Sequence, residues 1–238
     1  MADHVPAVRG LLILGALFIV AACDQGGEDA TVAEDGPLMP PYDGPGVVDA
    51  SPYADELIVF NPGPEAGTGQ DRMPEVVQGP PAGKGQGSGS TDDVVSLGHG
   101  GEIVMGFSGR QILDGPGPDF IVFENPFWVG LDPTQPWAEL GEVSVSEDGE
   151  TWHTFECDTL AMDPGQWPGC AGWTPTLDYD PALVIPLWPP LVGGDLFDLA
   201  ELGLTSARYV RIRDVSNEGV SPSGGFDLDA IGAVHISE

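Results

Sequence analysis

The chain has 238 residues, of which 38 are Asp or Glu and only 7 are Lys or Arg, giving a formal charge of −31. A balance this acidic argues against nucleic acid and anionic lipid headgroups as partners, because both demand a basic footprint. It leaves cations as natural counter-species, and simple solubility as the role of most of these carboxylates.

In chain order, Arg9 precedes an apolar stretch from Leu11 to Val20, well short of the roughly 20 residues that a bilayer span needs. The stretch closes on Val20-Ala21-Ala22-Cys23. Small residues directly before a cysteine resemble the lipobox of bacterial lipoproteins. That resemblance implies a signal peptide over residues 1–22, lipidation of Cys23 and display in the cell envelope, at the outer membrane or cell surface. The alternatives are an ordinary secretory signal and an uncleaved anchor. Residues 23–52 are rich in acidic, Gly, Pro and Ala residues without apolar periodicity, and read as a flexible tether. Residues 53–238 are long enough for one domain with a real core.

Within that domain Gly and Pro, 35 and 24 in the whole chain, interrupt every helical pattern. The predicted strands are Leu57–Phe60, Glu102–Phe107, Phe120–Phe123, Glu142–Ser146, Thr151–Glu156, Ala207–Arg213 and Asp229–Ile236. Many short strands separated by turn residues point to an all-β sandwich or barrel. Phe120-Ile121-Val122-Phe123 is apolar at every position and should be covered on both faces. In the run from Arg208 to Arg213, Val210 and Ile212 should face inward and Tyr209, Arg211 and Arg213 outward. Ser144 to Trp152 reads as a hairpin turning at Glu147-Asp148-Gly149. Leu196–Leu202 is the one expected helical turn.

The cysteines are Cys23, Cys157 and Cys170. Lipidation of the first leaves Cys157 and Cys170 to pair, which export permits.

Val143–Trp152 together with Ala207–Ile212 resembles discoidin-like domains, also called galactose-binding-like domains. The resemblance implies a jelly-roll sandwich with ligand loops at one end, often with a structural calcium ion. Three further blocks, Leu97-Gly98-His99-Gly100-Gly101-Glu102-Ile103, Asp114–Asn125 and Gly225–Ile231, resemble a family of bacterial cell-surface proteins and lipoproteins with no assigned biochemical activity.

The acidic blocks are the candidate metal site. Asp227 and Asp229 are two apart on an expected strand, and Asp119, Glu124 and Asn125 bracket the most apolar strand in the protein. An ionised carboxylate beside a dry strand is costly unless paired, and the six Lys and Arg beyond Arg9 cannot pair with every acid. Hard carboxylate and amide oxygens, with carbonyls from the Asp114–Pro118 loop, suit Ca2+. The competing reading is that Asp227 and Asp229 cap loop amides or pair with Arg110, Arg208, Arg211 or Arg213, while Asp114 and Asp119 only shape the turn. Asp227-x-Asp229-x-x-Gly232 with Glu238 imitates an EF-hand loop, but Ile231 occupies a ligand position and the residues alternate as in a strand.

Catalytic signals are poor. His99 lies between glycines, His153 and His235 fall in strands, and no nucleophile elbow, zincin motif or Walker A sequence is present. Glu139 and Glu142 could in principle form the carboxylate pair of a hydrolase. Ligand binding rests instead on tryptophans in Pro/Gly-rich connections: Trp128, Trp137, Trp167, Trp173 and Trp188. Such side chains stack on sugars or anchor proteins, or else plug the ends of the sandwich. The expectation is a calcium-stabilised recognition module for a glycan or an envelope protein, and not an enzyme. A structural or adhesion component and a carboxylate-dependent hydrolase are the alternatives.

Overall fold

The computed structural model describes residues 51–89, 93–160, 165–180, 187–216 and 218–238. The expected signal peptide, Cys23 and all but the last two tether residues lie outside the described residues. The fold is all-β and antiparallel, as the strand pattern predicts. Among the described residues no helix is long and apolar enough to cross a membrane.

The larger sheet runs in the order Glu56–Asn61, Glu102–Gly106, Tyr209–Asp214, Gly141–Ser146, Cys170–Ala171, with His153–Thr154 also paired to Gly141–Ser146. Its middle strand places Val210 opposite Met105 and Val145, and Ile212 opposite Ile103 and Val143. All six side chains are buried, so the alternation in the sequence becomes one continuous apolar face. The smaller sheet centres on Phe120–Phe123, flanked by Asp195–Phe197 and Ala230–Ala233. Phe120 and Val122 join Ile103, Met105, Val143 and Val145 in the main core. Ile121 and Phe123 face a second cluster with Tyr53, Leu187 and Val192. The strand is therefore covered on both faces, and the two sheets share a sandwich-like core. Phe120, Phe155 and Phe197 meet there with ring centroids 4.9–5.9 Å apart, the offset and edge-on contacts that aromatic quadrupoles favour.

Several expected elements differ in extent. The Thr151–Glu156 strand shrinks to His153–Thr154, because Phe155 turns into the core while its N–H still donates to the Val143 carbonyl at 3.0 Å. The run through Arg208 splits: Ser206–Ala207 pairs with Ile112–Leu113, and Tyr209–Asp214 enters the large sheet. The last run splits too, with Asp227–Leu228 pairing Val95–Ser96 before Ala230–Ala233 joins Phe120–Phe123. Leu196 lies in a strand, so the helical turn shortens to Leu199–Leu202, capped by the Asp198 carboxylate accepting from the Ala200 N–H. The hairpin is as expected, with Gly149 at φ +77°.

Cys157 and Cys170 form the disulfide. The chain just beyond it is held by Asp195, which is buried and accepts from the N–H groups of Gly172, Trp173 and Thr174 at 2.6–3.1 Å. Gly98, in the first glycine-rich block, has φ +72°, and a Cβ there would lie 2.5 Å from the Gly63 carbonyl. Glycine is demanded at that position both by conformation and by space.

Candidate metal centre and its cleft

The six predicted metal-site residues fall into three places. Asp114 and Asp119 approach Asp198. Asp119 is buried, and its two oxygens accept from the Gly115 and Leu199 N–H groups at 2.8 and 2.7 Å. Burial raises its pKa and those bonds oppose the rise. One bond to each oxygen ties the Gly-Pro turn to the Leu199–Leu202 turn. Asp114, Asp119 and Asp198 form a group, partly exposed, whose carboxylate oxygens lie within 4.8 Å of one another and could hold a metal ion. Asp229 is also buried, and both its oxygens accept from the Ala82 N–H at 3.0 Å.

The remaining candidates come together. Glu124 and Asp227 meet Glu139, with one carboxylate oxygen of each lying within 4.8 Å of the others. Glu124 leaves the end of the central strand, Asp227 comes from the strand beside Val95–Ser96, and Glu139 precedes Gly141–Ser146. Their exposures are 1%, 5% and 6%. Both Glu124 oxygens and Asp227 Oδ1 are buried without a hydrogen-bond partner. The backbone amides of Asn125 and Asp227 act on Glu124 only electrostatically, short of hydrogen-bond geometry. The ion pairs formed among the described residues, Arg72–Asp93, Arg110–Asp55 and Arg211–Glu102, involve none of the three.

Electrostatics follow from that geometry. Burial, then the charges of Asp227 and Glu139, push the Glu124 pKa well up. Burial, then Asp227, Asp214 and Glu218, raise Glu139 to about 8. Burial raises Asp227 to about 6, and side-chain contacts with Ser96 and Asn125 oppose it. Without a counter-charge, protons must take up the excess negative charge.

Glu139 was expected only as half of a hydrolase pair with Glu142, and Glu142 is not in this cluster. Its membership had no local signal, because Glu124, Glu139 and Asp227 meet only through tertiary structure. One indirect sign existed in Gly219, at φ +75°. A Cβ there would sit 2.3 Å from Glu139 Oε1, so glycine makes room for the carboxylate.

Glu139, Asp227 and Asn125 line an open cleft of about 620 Å3 together with Phe127, Trp137 and Gly87-Ser88-Gly89, and Gly89 packs directly on Phe127. Glu124 is the innermost acid, behind the lining. Phe127 and Trp137 pair across a short two-stranded ribbon that also pairs Trp128 with Pro136, so Trp128 and Trp137 lie in strands and not in loops. Trp137 is 51% exposed. The Ala82–Gly89 segment is tied down by the Ala82–Asp229 bond, by the Gly85 N–H donating to the Thr176 carbonyl at 3.0 Å, and by the Trp128 N–H donating to the Gln86 carbonyl at 2.8 Å. Thr176 in turn donates its hydroxyl to the Glu124 carbonyl at 2.6 Å.

The other tryptophans lie elsewhere. Trp173 donates Nε1–H to the Cys170 carbonyl at 3.0 Å and lines a separate cleft of about 450 Å3 with Pro189, Pro190 and Leu196. The carbonyl of Trp167 accepts from the Cys170 N–H, so both brace the disulfide region. Trp188 is 40% exposed. Trp152, not singled out by sequence, lies 4.4 Å beneath the Arg211 guanidinium.

No protein-family model matches this chain, and no curated protein matches it.

Proposed function

We propose that this is a lipid-anchored cell-envelope protein, carried on Cys23, whose sandwich is a jelly roll of galactose-binding-like type. In this reading it is stabilised by Ca2+ and works as a recognition module for a glycan or another envelope protein, without catalysis. The observation that carries the cation is Glu124: a carboxylate 1% exposed, neither oxygen bonded, facing two more buried acids. Three desolvated, mutually repelling carboxylates with no ion pair are costly unless a cation or protons neutralise them. An all-oxygen donor set of Glu124, Glu139 and Asp227, with Asn125 at its edge, suits a hard ion, and its flexible carboxylates suit calcium better than the strict octahedron of magnesium. The aromatic wall beside the acids supports recognition.

Hydrolysis is the second reading, favoured by Glu139 and Asp227 lining one cleft with pKa values raised to about 8 and about 6. Acid–base pairs are recognised by such separation. It leaves Glu124 uncompensated behind them, which the cation reading does not.

The test is the melting temperature of the purified protein with calcium and with chelator. At 100 times Kd a cation adds about 2.7 kcal/mol, or roughly 5–10 °C for a domain of this size. A rise with calcium that is absent in Asp227→Asn supports the centre. Equal melting in calcium and chelator overturns it.

A further inference from the structure

Resting on that cation reading, we propose that the cleft above Glu139 and Asp227 is a subsite for a neutral saccharide. Two adjacent hydroxyls complete the coordination of the cation, and the sugar ring lies against Trp137.

Coordination number is the first argument. Calcium takes roughly 6–8 oxygens. Glu124 closes the inner side of the cluster, whereas Glu139 and Asp227 form part of the cleft lining. The Asn125 side-chain amide already donates toward the Asp227 carboxylate through Nδ2–H. Three carboxylates at the floor of an open cleft leave the cleft side of an ion to be filled from the cleft, by water or by ligand oxygens.

Charge is the second. Among the described residues no Lys, Arg or His lines the cleft. Three ionised carboxylates around a divalent ion keep one negative charge in excess. A carboxylate, sulfate or phosphate ligand finds no cationic side chain beside the ion and is repelled by that excess charge, whereas neutral hydroxyl oxygens reach the ion without that repulsion. Two hydroxyls on neighbouring ring carbons span adjacent coordination positions as a chelate, and a single ring supplies them together.

Shape is the third. Trp137 is half-exposed and lines the cleft together with Phe127. The apolar C–H face of a pyranose fits an indole, and Gly89 packs so closely on Phe127 that a Cβ there would lie 2.8 Å from the ring. The cleft volume of about 620 Å3 lies within the range of small-ligand sites, enough for roughly one or two sugar rings.

Terbium, an oxygen-seeking stand-in for calcium, tests this on the purified protein through its luminescence lifetimes in H2O and D2O, which count the waters bound to the ion. The expected result is tryptophan-sensitised Tb3+ carrying about two inner-sphere waters. These are lost on adding members of a panel of neutral galacto-, manno-, xylo- and arabino-oligosaccharides. Trp137→Ala weakens that saccharide response about tenfold, a change of about 1.4 kcal/mol. Bound Tb3+ without inner-sphere water, a lifetime that no panel member lengthens, or a response indifferent to Trp137→Ala overturns the subsite. The calcium-dependent melt on the same sample separates the two proposals. If that rise is present the subsite alone fails, and if it is absent the cation reading fails with it.

Discussion

Glu124 and Asp227 bring carboxylate oxygens within 4.8 Å of each other inside the protein, and neither Glu124 oxygen nor Asp227 Oδ1 has a hydrogen-bond donor. A carboxylate pair so placed is destabilising unless something neutralises it. The two states of the cluster, with and without a cation, should therefore respond to substitution in opposite directions. Glu124→Gln is expected to raise the melting temperature of the chelator-treated protein by removing a carboxyl that must take up a proton to be buried there, and to abolish the further rise produced by calcium. Paired thermal melts check both arms. A variant that lowers the melt equally in calcium and chelator contradicts the cation centre.

Stability should depend on pH with a sign set by these shifts. Glu139 and Asp227 have folded pKa values raised to about 8 and about 6 from ordinary values of 4.5 and 3.8. A raised carboxyl binds more protons folded than unfolded between its two pKa values, so stability falls as pH rises through that window. The metal-free protein should weaken between about pH 4 and 8. Asp195 and Asp229, each raised to about 7 by burial, add to the same slope. Calcium should flatten only the part owed to Glu124, Glu139 and Asp227, because cation binding displaces their protons. Urea unfolding across pH, with calcium and with chelator, measures the difference.

Gly219→Ala is expected to act on both the site and the fold. Its Cβ would press on Glu139 Oε1 and, at 2.6 Å, on the Ser223 backbone carbonyl, from a backbone at φ +75°. The left-handed conformation costs about 1–2 kcal/mol for alanine. The displaced carboxylate should additionally weaken the calcium-dependent rise in Tm. Calcium titration followed by melting separates the two effects.

Asp195→Ala should be among the most damaging substitutions outside that centre. It strands three N–H groups, those of Gly172, Trp173 and Thr174, around a buried position. Bonds to a charged acceptor and the cost of orphaned donors together suggest about 3–5 kcal/mol, read from denaturant unfolding.

Reducing the Cys157–Cys170 bridge, which closes a loop of sequence separation 13, should cost about 3 kcal/mol on loop entropy. Melts with and without reductant check this.

The sequence was most informative where one local rule dominates. Phe120–Phe123 was legible to the residue, because four consecutive apolar side chains require cover on both faces. The inward Val210 and Ile212 followed from alternation, the hairpin at Gly149 from its turn residues, and the disulfide from the odd cysteine count. Strand ends were less legible, since the switch of partners at Asp229 and the split at Arg208 depend on which neighbours lie alongside. The carboxylate centre was half visible. Glu124, Asn125 and Asp227 stood out beside an apolar strand, as did Asp114 and Asp119, which join Asp198 in a second carboxylate group, and Asp229, whose oxygens accept the Ala82 N–H. Local sequence does not say which acids will find N–H donors. Glu139 was out of reach for the same reason, as it joins the others only once Gly141–Ser146 is docked.

The bonds that fix Ala82–Gly89 bear on how the cleft selects. Asp229, Thr176 and Trp128 hold the backbone at Ala82, Gly85 and Gln86, which anchors the stretch immediately before the Gly87-Ser88-Gly89 lining. A ligand meeting a preorganised wall loses little further conformational freedom in the protein, and affinity is gained by avoiding that loss. The corollary is intolerance. A wall that does not yield cannot adapt to a branched or bulkier guest, and discrimination among related ligands would come from steric rejection at the entrance.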